Sequence, residues 1–320
     1  MRVGLKDRRQ KAQSPVGGGR NYKKEGVQMR KRLRETVWSV TIVMVMMFSL
    51  VISARAFGAD YKVYYLEYAQ FNNFPTTLET LETVFPKFVA WPFGFVYIED
   101  SSSNRKILVD CGLDDYAIKT WLDPEVEFMK IEKFGNSVQL LAKLNVKPEQ
   151  ITDIILTHLH WDHAAGIDQF PNATFYVQRE ELRFAVFSPE YKFLRTHYKK
   201  EVVTKFIGYE FDGRVKVLNG DEQIFDGIRA YLTPGHTLGS QVVAVQTKGG
   251  VITLVGDAAH SYANLMDEKP DVFVVDTVQM LQSYRKIKAI PGFDKNKAIV
   301  YHAIETTKFP VAADHIYRLD

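Results

Sequence analysis

From residue 60 onward, apolar and polar positions alternate in short blocks, and that alternation predicts strands. Tyr61 to Tyr68 alternates and is rich in aromatics. Phe93 to Glu99 and Lys106 to Asp110 read as two strands around a polar turn, Asp100 to Asn104. Ile154-Ile155-Leu156 is a short apolar run suited to a buried strand, and Thr174 to Gln178 is another. Val215–Leu218, Ile228–Thr233, Gln241–Gln246, Val251–Val255 and Lys297–His302 continue the series. Ser137 to Asn145 has a helical period, with Val138, Leu140, Leu141 and Leu144 on one face and Pro148 beyond its end. Arg179 to Phe187 predicts a second helix. Strands and helices alternating in each half, with hairpins, predict two sheets face to face with helices outside. The fold class expected is α/β (α+β): an αββα sandwich formed by residues 60–320 as one domain.

Two stretches break the pattern with aromatic side chains. The first carries Phe71, Phe74, Phe85, Phe88, Trp91 and Phe93 among Pro75, Pro86 and Pro92. Proline interrupts both regular structures, so a loop or short helical pieces are expected there. Its rings serve either as a flap over an apolar pocket or as ordinary core. The second, Phe184 to His197, holds Phe187, Tyr191 and Phe193, with Tyr198 next to it, and can wall a pocket.

The chain has 320 residues, 46% of them apolar and 25% charged, which fits a globular protein. Its net charge of +3 is unevenly spread. Residues 1–36 form a basic leader, with twelve Lys or Arg against Asp7, Glu25 and Glu35, a local net of +9. The remainder is therefore −6, which gives no footprint for nucleic acid.

Val37 to Ser53 is a charge-free apolar run of seventeen residues, followed by the small-x-small triplet Ala54-Arg55-Ala56. Residues 37–56 are thus read as a signal peptide, with an uncleaved signal anchor as the alternative. Basic residues before the run keep the amino terminus cytoplasmic and export the domain, to the periplasm or outside the cell. Any membrane contact is expected only through this segment. Met29, followed by Arg-Lys-Arg-Leu-Arg, is a candidate start that yields a compact signal peptide. The single cysteine, Cys111, excludes an intrachain disulfide and reads as a packed residue beside a strand end. The triplet Asn172-Ala-Thr174 carries no weight as a glycosylation site.

The densest chemistry follows the run Ile154–Leu156. His158, His160, Asp162 and His163 fall within six residues. An extended backbone sends His158 and His160 to one side, and the turn that follows carries Asp162 and His163 past them. Two pairs of ligands can then face two neighbouring metal ions.

This His-x-His-x-Asp-His signature resembles the metallo-β-lactamase fold superfamily, and the resemblance covers roughly residues 60 to 320. Thr233-Pro-Gly-His236, Asp257 at the end of Ile252–Asp257, and His302 at the end of Lys297–His302 match its remaining elements in order. The resemblance implies His158, His160 and His236 on the first metal. It implies Asp162, His163 and His302 on the second, with Asp257 bridging. Asp110-Cys-Gly112 matches an element that buttresses the centre from behind. Nitrogen-plus-carboxylate ligation suits two divalent ions, Zn2+ first, while iron, manganese or cobalt fit the same set. Such ions lower the pKa of a shared water, and the hydroxide between them attacks a carbonyl carbon. Asp162 then carries a proton to the leaving group.

Within the superfamily the chain is most similar to the N-acyl homoserine lactonases, the quorum-quenching enzymes. The stretches that carry this are Ile107–Gly112, Ile154–Gly166, Tyr176–Glu181 and Thr233–Gly239. The expected substrate is a small-molecule ester or lactone. Two departures stand out. Those lactonases place a Tyr three residues after the bridging Asp, whereas here His260 occupies that position and Tyr262 follows two residues on. Either an imidazole N–H of His260 replaces the phenol or His260 is a surface residue. The family's last histidine is usually followed by Asp, but His302 is followed by Ala303. An esterase or organophosphate-type hydrolase is the runner-up, and a metal-binding redox protein a third reading. His197 and His315 have no companion motif and read as ordinary polar residues.

Overall fold

Tyr61–Pro75 forms one long strand, β1, paired antiparallel with β2, Phe88–Asp100. The computed structural model describes residues 60–122, 127–187 and 196–320. The basic leader, the signal or anchor segment with its Met29 start, and Tyr191 and Phe193 lie outside these residues. Among the described residues no helix is long and apolar enough to cross a membrane.

This hairpin corrects the sequence expectation of a loop over residues 71–93. Gln70 pairs with Pro92 and Phe71 with Trp91, with register breaks between Glu67 and Ala69 and between Phe71 and Phe74. Proline is accommodated because the next strand pairs with β2 only from Val96 to Asp100. At Pro92 one flank of β2 therefore needs no backbone donor. Only the tip, with a short turn at Thr76–Leu78, leaves the ladder.

The chain continues through β3 (Arg105–Val109), β4 (Ile131–Lys133), α1 (Ser137–Lys143), β5 (Asp153–Ile155), the single turn α2 (Trp161–Ala164) and β6 (Thr174–Gln178). Helices α3 (Arg179–Phe187) and α4 (Lys200–Phe211) precede β7 (Val215–Leu218), β8 (Glu222–Phe225), β9 (Ile228–Leu232), β10 (Gln241–Thr247) and β11 (Gly250–Gly256). Then come α5 (Tyr262–Asp267), α6 (Thr277–Lys288), β12 (Ala298–Val300), β13 (Val311–Ala313) and β14 (Ile316–Arg318). One sheet runs β13-β14-β1-β2-β3-β5-β6-β7 with β4 also on β1, and the other runs β12-β11-β10-β9-β8.

Side-chain alternation divides the apolar residues among three layers. Val63, Tyr65, Val96, Ile98, Ile107, Val109 and Ile155 meet Val243, Val245, Ile252, Leu254 and Ile299 between the sheets. Their neighbours Phe95, Leu108, Ile154 and Phe175 point the other way, onto Leu140, Leu141, Ala185, Val202 and Phe206 of the helices. Val242, Ala244 and Val255 meet Leu265, Met280, Tyr284 and Ile287 of α5 and α6. The two sheets thus lie between helical layers, an αββα arrangement. β3 runs parallel to β5, and β11 parallel to β12. Their carboxyl ends open at one edge of the sandwich, where the ligand-type residues follow.

Candidate metal centre

Three loops bring the imidazoles together. The segment after β5 carries His158 and His160, and α2 carries Asp162 and His163, so the expected turn is one turn of helix. His236 follows β9 on a bend where Gly235 has φ +148°. A Cβ there would stand 2.5 Å from Met280 Cα, so glycine lets α6 pack against this bend. Asp257 follows β11 and His302 follows β12.

All seven residues expected as ligands meet at this edge. One ligand atom each from His158, His160 and His236 lie within 4.8 Å of one another, as do those of Asp162, His163, Asp257 and His302. Asp257 spans the two groups. Its Oδ1 lies 3.2 Å from both His163 Nε2 and His302 Nε2, and its Oδ2 lies 3.5 Å from His236 Nε2. His160 Nδ1 stands 3.0 Å from His236 Nε2.

Their outward nitrogens are occupied by acceptors. His163 Nδ1 donates to Asp110 Oδ2 at 2.8 Å, His236 Nδ1 to Phe273 O at 2.8 Å, and His302 Nδ1 to Pro92 O at 2.8 Å. Each of these rings is fixed with Nε2 facing inward, the arrangement that prepares imidazole for a metal. Thr157 links two of them, donating to Asp110 Oδ2 at 2.8 Å and standing 3.1 Å from His158 Nδ1.

Divalent cations fit this donor set on an observation of the structure itself. Among the described residues, six buried side-chain polar atoms lack a hydrogen-bond partner, and His158 Nε2, His163 Nε2 and Asp257 Oδ1 are three of them. Buried polar atoms are rarely left unpaired, so three converging on one point mark a place for a ligand. Electrostatics agree for the first group, whereas His163, against its burial, is pushed well above the usual histidine pKa by Asp257, Asp162 and Asp110. Burial, then the neighbouring imidazoles, hold His158 and His160 well below the usual histidine pKa, and burial takes His236 down to about 4. Their lone pairs are therefore free at neutral pH. Against its burial, Asp257 is held well below the carboxylate range by His163, His302 and His260.

His260 is buried, which corrects the alternative of a surface residue. Its Nε2 lies 3.1 Å from Asp257 Oδ2, and its Nδ1 is hydrogen-bonded to Asp271 Oδ2. Burial opposes a charge there, but Asp271 and Asp257 overcome it and raise the pKa to about 10. Each ring nitrogen thus faces a carboxylate oxygen, which can only accept a hydrogen bond. Tyr262 is not brought to the site. It opens α5, and its hydroxyl donates to Ala298 O at 2.5 Å, away from the ligand groups.

A cavity of about 300 Å3 opens onto these groups. Phe71, Phe74, Leu78, Trp91, Phe93, Trp121, Leu122, Met129, Trp161 and Phe273 supply its apolar walls. Trp91 stacks on His302 with ring centroids 4.8 Å apart, and Phe93 meets the same ring edge-on at 5.0 Å. The first aromatic stretch therefore walls the cavity and brackets an imidazole, while Phe85 and Phe88 are exposed. Phe187 is exposed as well. His197, expected to be an ordinary polar residue, lines the cavity 5.3 Å from the His160 ring. His315 stays away from it, stacked on Phe134 and 3.2 Å from Glu67.

Sequence reasoning missed Asp271, Thr157 and Glu181. Glu181 is buried and accepts from Leu159 N–H at 2.9 Å, Tyr198 Oη at 2.8 Å and Thr237 Oγ1 at 2.6 Å. It ties the His158–His160 segment to the His236 bend. Its place inside the similar stretch Tyr176–Glu181 was the one available signal. Cys111 is buried with its Sγ 3.3 Å from His163 O.

Residues 93–302 match the family described as the metallo-beta-lactamase superfamily. An N-acyl homoserine lactonase of Bacillus cereus is 31% identical over 210 residues, covering 63% of this chain and 78% of the relative. Among solved structures, a Bacillus thuringiensis AiiA variant with N-decanoyl-L-homoserine at its active site superposes with TM-score 0.64 at 25% identity, over 78% of this chain and 96% of that one. An N-acyl homoserine lactone hydrolase with N-hexanoyl-L-homoserine at its catalytic metal centre gives the same values.

Proposed function

The chain belongs to the metallo-beta-lactamase superfamily, among its metal-dependent hydrolases, and from that footing we propose that it opens the ring of N-acyl homoserine lactones. One observation carries the reading: members of both ligand groups, His160 and His236 from one and Asp162, Asp257 and His302 from the other, line a cavity whose walls are aromatic and aliphatic. A lactone head reaches the floor while an acyl chain is buried against Phe71, Phe74 and Trp91, at about 0.8 kcal/mol per methylene. The relatives named above, and the bound N-acyl homoserines in two of the structures, support the substrate class.

His158, His160 and His236 would hold one divalent ion and Asp162, His163 and His302 the other, with Asp257 shared; zinc suits these donors. When bound, such ions would acidify a water and polarise a carbonyl oxygen. The protein does the rest. His260 Nε2–H, which meets Asp257 Oδ2 at 3.1 Å, is proposed to pass its hydrogen bond to the lactone carbonyl oxygen, where negative charge develops as water oxygen adds to the carbonyl carbon. Asp162, at the cavity wall, accepts the proton that this water sheds and, as the ring C–O bond breaks, hands it to the departing alkoxide. The product is the open N-acyl homoserine. Trp91, Trp161 and Phe273 keep bulk water from these polar contacts. Residues 37–53 are proposed to export or anchor the domain, which amino-terminal sequencing of the exported protein checks.

The test is pH-stat hydrolysis of a short- and a long-chain N-acyl homoserine lactone by zinc-loaded and chelated protein. Metal-dependent acid release with both supports the reading. No turnover of either lactone, with aryl esters or phosphotriesters cleaved instead, transfers the function to an esterase or organophosphate-type hydrolase.

A further inference from the structure

Between α5 and α6 the chain passes behind the site, and one short segment there holds two of its imidazoles. Asp271 is fully buried and belongs to neither ligand group. Its Oδ2 accepts from His260 Nδ1, and its Oδ1 accepts the backbone N–H of Phe273 at 2.8 Å. The carbonyl of that same Phe273 accepts His236 Nδ1–H at 2.8 Å. The segment is anchored on both sides. Val275 N–H and Asp276 N–H donate to Gly235 O at 2.8 and 3.0 Å, and Asn264 Nδ2 donates to Lys269 O at 3.0 Å. The ring of Phe273 stands edge-on to that of His260, centroids 5.5 Å apart, with Trp91 at 5.3 Å.

A carboxylate has no proton to give, so both of its oxygens can only accept. Asp271 therefore does two things with one group. It sets the rotation of His260 and requires a proton on Nδ1, and it shapes the turn that presents the Phe273 carbonyl to His236. We infer that Asp271 is a positioning residue that orients the substrate-facing imidazole of His260 and, through Phe273, steadies His236. The part concerning His260 rests on the lactonase reading; the part concerning His236 and the ring proton does not.

The experiment compares the full chain, zinc-loaded, with Asp271→Asn, His260→Phe and the double variant. An Asn at 271 accepts Phe273 N–H with its oxygen and turns its amide toward His260 Nδ1, which must then accept. The expected result is a fall in kcat of about 10- to 100-fold on N-hexanoyl homoserine lactone, with KM within about threefold and both ions retained. In the His260→Phe background the same substitution is expected to change kcat less than about twofold, because the ring it acts through is gone. Long-range proton–nitrogen NMR of the imidazoles provides a signature that a merely structural carboxylate would not move. Wild type shows His260 protonated at Nδ1, and Asp271→Asn loses that proton. Asp271→Ala, which also frees Phe273 N–H, is expected to weaken one ion about tenfold in chelator competition.

Additive loss of kcat in the double variant overturns the inference, as does a wild-type His260 with no Nδ1 proton. If wild type opens no lactone, the functional reading fails, and the NMR and chelator measurements decide the role of Asp271 by themselves.

Discussion

Asp110 Oδ2 accepts the Nδ1–H of His163 at 2.8 Å while Asp110 itself holds φ at +62°. The left-handed backbone is unfavourable for a residue with a Cβ, and it persists because the carboxylate also takes Thr157 N–H at 2.7 Å and the Thr157 hydroxyl. Asparagine tolerates that backbone, so Asp110→Asn is expected to fold. It loses the charged acceptor for His163, and zinc affinity is expected to drop about 10- to 100-fold in chelator competition. Unchanged affinity would show that the contact does not tune the ligand.

Metal removal is the second test. Ligands that bind only the folded chain stabilise it by about 4 kcal/mol at a thousandfold excess over Kd. For a domain of this size that amounts to a rise of roughly 10 °C in Tm when zinc is restored to chelated protein. A Tm indifferent to zinc would remove the metal from the account.

Glu181 is expected to matter for stability as well as for the site. Glu181→Ala strands Leu159 N–H and the hydroxyl of Tyr198 in the interior, and leaves the Thr237 hydroxyl with Ser240 Oγ at 2.6 Å. The expected loss in urea unfolding is about 3 kcal/mol or more. Gly239→Ala attacks the same junction, since its Cβ would stand 2.1 Å from Glu181 N. A loss below about 1 kcal/mol for both would mean that the loops are held elsewhere.

Acid–base linkage gives a fourth expectation. Burial first, and Asp271 second, push the half-buried Glu79 carboxyl from 4.5 up to about 7. Between those values the folded chain binds a proton that the unfolded chain releases, so this group's contribution to stability falls as pH rises through that window. In metal-free protein, Glu79→Gln is expected to lose less Tm between pH 4.5 and 7 than wild type. Parallel Tm curves for the two proteins would refute the shift.

Much of the layered fold is legible along the chain because strands facing two ways must alternate. Thr174–Gln178, Val215–Leu218 and helix Arg179–Phe187 stand where the pattern puts them. The hairpin through Pro92 was not legible, because whether a proline breaks a strand depends on which flank has a partner.

By itself the sequence determined the candidate ligands and their order, since binding two cations demands imidazoles and carboxylates crowded at strand ends. Only the tertiary structure decided their company. It buried His260 against Asp271, sent Tyr262 away, placed His197 in the cavity and set Glu181 between two loops. The hydrogen bonds that hold the site join residues from His260–Asp271, 11 apart, to His302–Pro92, 210 apart. A hydrogen bond across such a separation leaves no periodic trace, because it depends on how the sheets close and not on any local spacing.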